Sequence, residues 1–144
     1  MDQNDPVSPE EFILRRVPAN QDFIDESLLL RVQRVAFEPK KKHDINGLSV
    51  YRERFVSAER VAAAGRSPAG YYVVRLQAKD YLDLGLTLHP DPKPDELPGH
   101  TLIPRLNADS MKNHKNESKD LQKKLADRAT ASTLLGPFIP PSPQ

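Results

Sequence analysis

Fourteen prolines punctuate this 144-residue sequence, about twice the usual share of roughly 5%. Proline lacks an amide hydrogen and holds φ fixed, so it interrupts helix interiors and is kept out of central strands. Pro18, Pro39, Pro68 and the run Pro90, Pro92, Pro94 and Pro98 therefore cut residues 9–107 into short segments. The long proline-free and glycine-free stretch lies beyond them, "ADSMKNHKNESKDLQKKLADRATAST" at 108–133. A long helix fits there. Hydrophobic content of 38% is low for a chain that is globular throughout, which suggests a compact part flanked by polar segments.

Within 9–107 the segments read as alternating short helices and strands. In "SPEEFILRRV" Ser8, Pro9 and Glu11 form a capping-box pattern, so a short helix is expected, stopped by Pro18. "ESLLLRVQRVAFEP" (26–39) places apolar Leu30, Val32, Val35 and Phe37 among polar residues, the pattern of a half-buried strand. Asn46-Gly47 before Leu48–Val56 then suggests a tight turn and an antiparallel hairpin of these two runs. "SAERVAAAG" has a serine cap and a glycine stop around an alanine-rich turn of helix. "GYYVVRLQA" (70–78) is the strongest strand, and "KDYLDLG" a single helical turn. "LTLH" and "HTLIPRL" are two further short strands. The expected fold is α+β: a small, mostly antiparallel sheet with two or three short helices, plus an appended C-terminal helix and a proline-rich tail. Its expected core is Leu48, Val50, Val73, Val74, Leu76, Leu86, Leu88, Leu102 and Ile103. The divisions are a flexible start at 1–8, a domain at 9–107, a polar helix at 108–133 and the tail at 134–144.

Composition excludes several classes. Without cysteine there is no disulfide framework, thiolate zinc site or cysteine nucleophile. No apolar run approaches the roughly 18 residues of a membrane span. The acidic "MDQNDPVSPEE" lacks the basic start and apolar stretch of a signal peptide, so a cytoplasmic protein is expected. Phosphate-cradling glycine loops and the GxSxG elbow are absent, and no cofactor is expected.

Candidate sites come from two features. The loop "HPDPKPDELPGH" joins His89 and His100 to Asp91, Asp95 and Glu96, residue types that suit a divalent metal or acid–base work. His89, His100 and Asp91 are the catalytic candidates, and the two histidines the metal candidates. The prolines more readily make the loop a stiff, solvated connection, and no metal site is assigned. "VVRLQAKD" (73–80) resembles the strand of restriction-type nucleases, with Gln77 and Lys79 beside Asp44 or Glu53. A solvated strand end explains it better.

Charge is the second feature. The net charge of +1 conceals acidic blocks at 1–30 and 80–99 and basic blocks at 31–79 and 100–144. If the hairpin pairs, Arg31, Arg34, Lys41, Arg52, Arg54 and Arg75 share a cationic face able to hold RNA or DNA. Alternatively, these bases pair with the acidic blocks.

In the C-terminal segment Leu121, Leu125 and Ala129 form a stripe too narrow for an isolated helix. Leu121, Leu125, Phe138 and Ile139 are therefore expected either to dock on a partner or to fold back on the protein's own sheet.

"GLSVYRE", "LGLTLHPDP" and "PGHTLIPRL" resemble a pattern found in short uncharacterised bacterial proteins, over roughly residues 35–107. The resemblance implies a bacterial cytoplasmic origin and a self-contained domain, and no activity. The function expected from the sequence is a non-enzymatic interaction module acting with a protein partner. The alternatives are nucleic-acid binding on the Arg/Lys face and a metal-dependent hydrolase or nuclease at the 89–100 loop.

Overall fold

A computed structural model describes residues 2–20, 22–25, 31–129 and 133–140. The fold is α+β. Its main sheet has six strands: β1 (Phe12–Pro18), β4 (Leu48–Arg52), β5 (Tyr71–Gln77), β6 (His89–Pro90), β7 (His100–Ile103) and β8 (Leu134–Phe138). They lie in the order β6-β7-β4-β1-β5-β8, and every neighbouring pair is antiparallel. A two-stranded sheet pairs β2 (Ile24–Asp25) with β3 (Arg31–Val32). The helices are α1 (Ala58–Ala63), α2 (Ala78–Leu82), α3 (Ala108–Asn113) and α4 (Lys115–Arg128), with a 3-10 turn at Arg34–Phe37. None of the described helices is long and apolar enough to cross a membrane.

The sheet is covered on both faces, and strand alternation divides its side chains between two cores. One core gathers Ile13, Val17, Leu48, Val50, Tyr72, Val74, Leu76 and Ile103 with Leu121, Leu125 and Ala126 of α4. The other holds Leu14, Tyr51 and Val73 against Val61 and Ala62 of α1. Of the core residues expected from sequence, Leu88 and Leu102 are only half-buried; the rest are buried.

Three local expectations are corrected. The segment expected as a helix from Ser8 is the central strand β1. The capping pair still forms, Ser8 N–H donating to Glu11 Oε2 at 3.2 Å, but it closes a turn rather than opening a helix. Ile13 and Leu14, adjacent and pointing to opposite faces, are both fully buried, as a strand sandwiched on both sides requires. Second, the strand expected over 26–39 reduces to Arg31–Val32 followed by the 3-10 turn; residues 26–30, with Leu30, lie outside the described residues. Third, among the described residues the hairpin is absent: β4 pairs with β1 and β7, and β3 with β2. Gly47 is needed instead for a close approach: its φ is +140°, and a Cβ there would lie 2.7 Å from the Ile103 carbonyl oxygen.

The C-terminal segment folds back. Leu125 is fully buried, Leu121 is 8% exposed, and β8 hydrogen-bonds along β5. The core therefore runs across the boundary expected at residue 107. Leu121 and Leu125 belong to the protein's own interior, which corrects their assignment as partner-binding residues. Phe138 pairs opposite Tyr71, and Ile139 alone of the four is well exposed. Residues 141–144 of the tail lie outside the described residues.

Among the described residues two buried side-chain oxygens lack a hydrogen bond, Asp91 Oδ2 and the Tyr81 hydroxyl. The Tyr81 hydroxyl is enclosed in the larger core without a hydrogen bond, and burial pushes its pKa well up. Tyr81→Phe removes a desolvated hydroxyl that gains nothing. It is expected to leave stability unchanged or raise it by about 1 kcal/mol, read from urea unfolding; a clear loss would show that the hydroxyl has a partner.

Candidate functional site

The central strands open a cavity. β1 and β4 pair only at Ile13↔Arg52 and Leu14↔Tyr51, although β1 continues along β5 as far as Pro18↔Tyr71. Where the β1–β4 ladder stops, the Arg15 side chain takes over the unpaired backbone. Its Nε donates to the Ala36 carbonyl and its Nη1 to the Ser49 carbonyl, both at 2.8 Å. Burial pushes the Arg15 guanidinium below its ordinary pKa, with Asp44 and Tyr81 acting in the opposite sense. Arg16 on the other face donates to the Val61 carbonyl at 3.2 Å and lies 5.9 Å from the Tyr71 ring centre.

The cavity beside these arginines measures about 510 Å³ and is also lined by Lys40, His43, Arg66, Asp44, Ser49, Tyr51 and Glu96. A second cavity of about 840 Å³ lies between the 38–41 segment and helices α3 and α4. Lys40, Lys41, Lys112, Lys115 and Lys119 line it together with Glu38, Asp109, Pro39 and Met111. Lys40 borders both cavities, and their cationic linings are together called the cationic track below.

Acids and bases along this track are in different states. Asp44 accepts the Lys40 backbone N–H at 2.7 Å and Glu96 accepts the Tyr51 hydroxyl at 2.8 Å. Glu38 pairs with Arg34 at 3.1 Å, and Asp109 accepts from the Asn113 amide at 2.6 Å. Each acid thus has a partner other than the lining cations' side chains. Among the described residues no carboxylate lies within ion-pair distance of Arg15, Arg16, Lys40, Lys41, Arg66, Lys112, Lys115 or Lys119. Burial and the Glu96 bond push the Tyr51 phenol up to about 12, so it stays a neutral donor.

The cationic face expected from sequence is dispersed. Arg52 is fully buried, bound to Glu11 through Nε at 2.6 Å and Nη2 at 3.0 Å. Arg75 grips Glu53 with two bonds of 2.7 and 2.8 Å above the Phe12 ring, and the Glu53 bond raises its pKa. Arg54 lies 3.8 Å from Glu11, and Arg34 binds Glu38 and Gln122. Arg31 sits apart on β3. Of the six, Lys41 alone lines the cationic track. Gln77 and Asp80 form the capping box of α2, which accounts for the Gln-x-Lys strand end.

The 89–100 loop is closed by β6 pairing with β7. Its two histidines have separate partners: the exposed His89 ring meets Thr87 Oγ1 at 3.1 Å, whereas His100 is 3% exposed. His100 Nδ1 lies 2.9 Å from the Asp91 carbonyl oxygen and 3.2 Å from Asp91 Oδ2. His100 Nε2 lies 3.0 Å from Ser49 Oγ. Among the described residues no three His, Asp or Glu side chains converge as a metal site. The structure thus joins two sequence candidates, His100 and Asp91, to Ser49. Sequence spacing gave no sign of Ser49, because the link is the β4–β7 register, Tyr51↔His100 and Ser49↔Leu102.

No protein-family model matches the chain, and no curated protein or solved structure matches it.

Proposed function

We propose that this protein is a binding module that docks an acidic segment of a protein partner along the cationic track. The observation that carries this is the asymmetry of pairing: the track's acids are engaged elsewhere, while among the described residues no carboxylate lies within ion-pair distance of its eight Lys and Arg side chains. An anionic partner supplies what they lack. Two details favour a peptide over a nucleic acid. Phe23 and Tyr71, two of the aromatic residues lining the smaller cavity, are already faced by Lys40 and Arg16, which leaves less free surface for stacking bases. Pro39, Ala108 and Met111 add apolar lining to the larger cavity, suited to side chains interspersed with acids. A bacterial cytoplasmic setting is part of this reading, and it rests on the cysteine-free sequence and the resemblance to short bacterial proteins.

Fluorescence anisotropy with a labelled Glu/Leu-rich peptide and with single-stranded DNA of similar charge tests it. The peptide is expected to bind more tightly at physiological salt. Combined reversal of Lys112, Lys115 and Lys119 to Glu should weaken it roughly ten- to hundredfold, since exposed pairs contribute about 0.2–1 kcal/mol each and reversal adds repulsion. Tighter DNA binding, falling steeply with log salt, would replace the peptide reading with the nucleic-acid one. No binding of either at low salt would remove both.

A further inference from the structure

We infer that Ser49 is an activated nucleophile, with His100 as its general base, and that the cavity it faces accepts the acyl ester of a small anionic molecule. The hydrogen-bond row carries the nucleophile independently of the peptide reading; only the choice of an anionic ester rests on the cavity's charge.

The tautomer follows from the neighbours. Both groups beside His100 Nδ1, the Asp91 carbonyl and its carboxylate, are acceptors only. Glu96 Oε1 stands near Nε2 but at 3.8 Å, beyond hydrogen-bond reach, so the acceptor at 2.9 Å holds the proton of the neutral ring on Nδ1, and Nε2 offers its lone pair to the Ser49 hydroxyl 3.0 Å away. This is the relation a serine nucleophile needs to its base, with the base oriented by a third group. The ring is 3% exposed, locked between β7 and the loop and tilted against Tyr51 at 5.6 Å, so its aim is fixed. Ser49 in turn lines the 510 Å³ cavity, whose volume is enough for a small acyl group. Arg15 Nη1 donates to the main-chain carbonyl of Ser49 itself, which places a positive charge near the reacting residue. Arg16, Lys40 and Arg66 around the same space select an ester that also bears a carboxylate or phosphate.

The step balances without a co-reactant other than water. Ser49 Oγ bonds to the ester carbonyl carbon as its proton passes to His100 Nε2. The C–O bond of the leaving group then breaks, and the alcohol departs with that proton. Water, deprotonated by the same nitrogen, releases the acid and restores the serine. Asp91 is a positioning residue. Its better-placed contact is the main-chain carbonyl, so Asp91→Asn keeps the tautomer and is expected to lower kcat with KM unchanged.

The full-length protein is treated with a neutral fluorophosphonate probe and analysed by intact mass and peptide mapping. One label per chain at Ser49 is expected, absent after heat denaturation and absent from Ser49→Ala, whose cooperative melting shows that it folds. His100→Gln should slow labelling by about 10²–10⁴-fold, the usual contribution of a general base; if it does not fold, the Asp91→Asn kinetics provide the second measurement. Failure of Ser49 to label in the folded protein, or labelling that survives denaturation, overturns the nucleophile. Hydrolysis of 4-nitrophenyl hydrogen succinate and 4-nitrophenyl acetate is then compared. Preference for the succinate by kcat/KM, reduced by Arg16→Ala, is expected; equal rates overturn the anionic substrate class while leaving Ser49 labelled.

Discussion

Arg52→Ala is expected to destabilise the fold by about 3–5 kcal/mol, the cost of leaving a buried charge without its partner. Arg52 is fully buried and Glu11 nearly so. The guanidinium also holds the carbonyls of Gln3 at 3.1 Å and Asp5 at 2.7 Å, and stacks over Phe55 at 5.0 Å. One side chain therefore anchors the N-terminal segment onto β4. The loss is a large part of the 5–15 kcal/mol that holds a typical domain together, so the variant should unfold at much lower urea. Residues 2–8 should become accessible to protease before the rest of the chain. Removing both charges, as Arg52→Met with Glu11→Leu, should recover part of the loss, because no carboxylate is then stranded. A single-variant loss within about 0.5 kcal/mol, the range of an ordinary surface substitution, would show that the pair is not the anchor.

Truncation after Asn107 is expected to abolish the sharp thermal transition. It removes Leu121, Leu125, Ala126 and Leu134 from the larger core and strips β8 from the edge of β5. Three buried leucines alone represent roughly 5–9 kcal/mol at about 1.5–3 kcal/mol each, comparable to the whole stability of a small domain. Differential scanning calorimetry of the truncated chain decides. A cooperative peak near the full-length temperature would mean that 9–107 stands alone.

How far the fold could be read from sequence depended on whether the signal was local. Ser57 caps α1 through the Arg60 N–H, and the aromatic and β-branched run at 71–77 is β5, because each is decided within a few neighbouring residues. β1 defeated the same reasoning. A strand buried on both faces has consecutive apolar residues, here Phe12, Ile13 and Leu14, and periodicity cannot separate that from a short helix behind a capping box. The basic belt failed for a related reason. Arg52 and Arg75 look like surface charge until long-range folding brings Glu11 and Glu53 against them. Ser49 and His100 are 51 positions apart, and only the strand register shows them to be neighbours. The cationic track likewise depends on α3 and α4 packing beside residues 38–41.

The position of β1 has a consequence for how the chain is made. Among the described residues it is the first strand in sequence, yet it lies in the interior of the sheet with β4 and β5 on its two sides. On a ribosome it emerges with both hydrogen-bonding edges bare, and Leu48 of β4 lies thirty residues beyond Pro18. Its second edge stays open until β5 appears, and β5 keeps an open edge until β8 has been synthesised. Open apolar edges are templates for pairing with other chains. Nascent copies of this protein should therefore depend on chaperone cover for most of their translation, and pauses between β1 and β5 should cost more soluble product than pauses within α4.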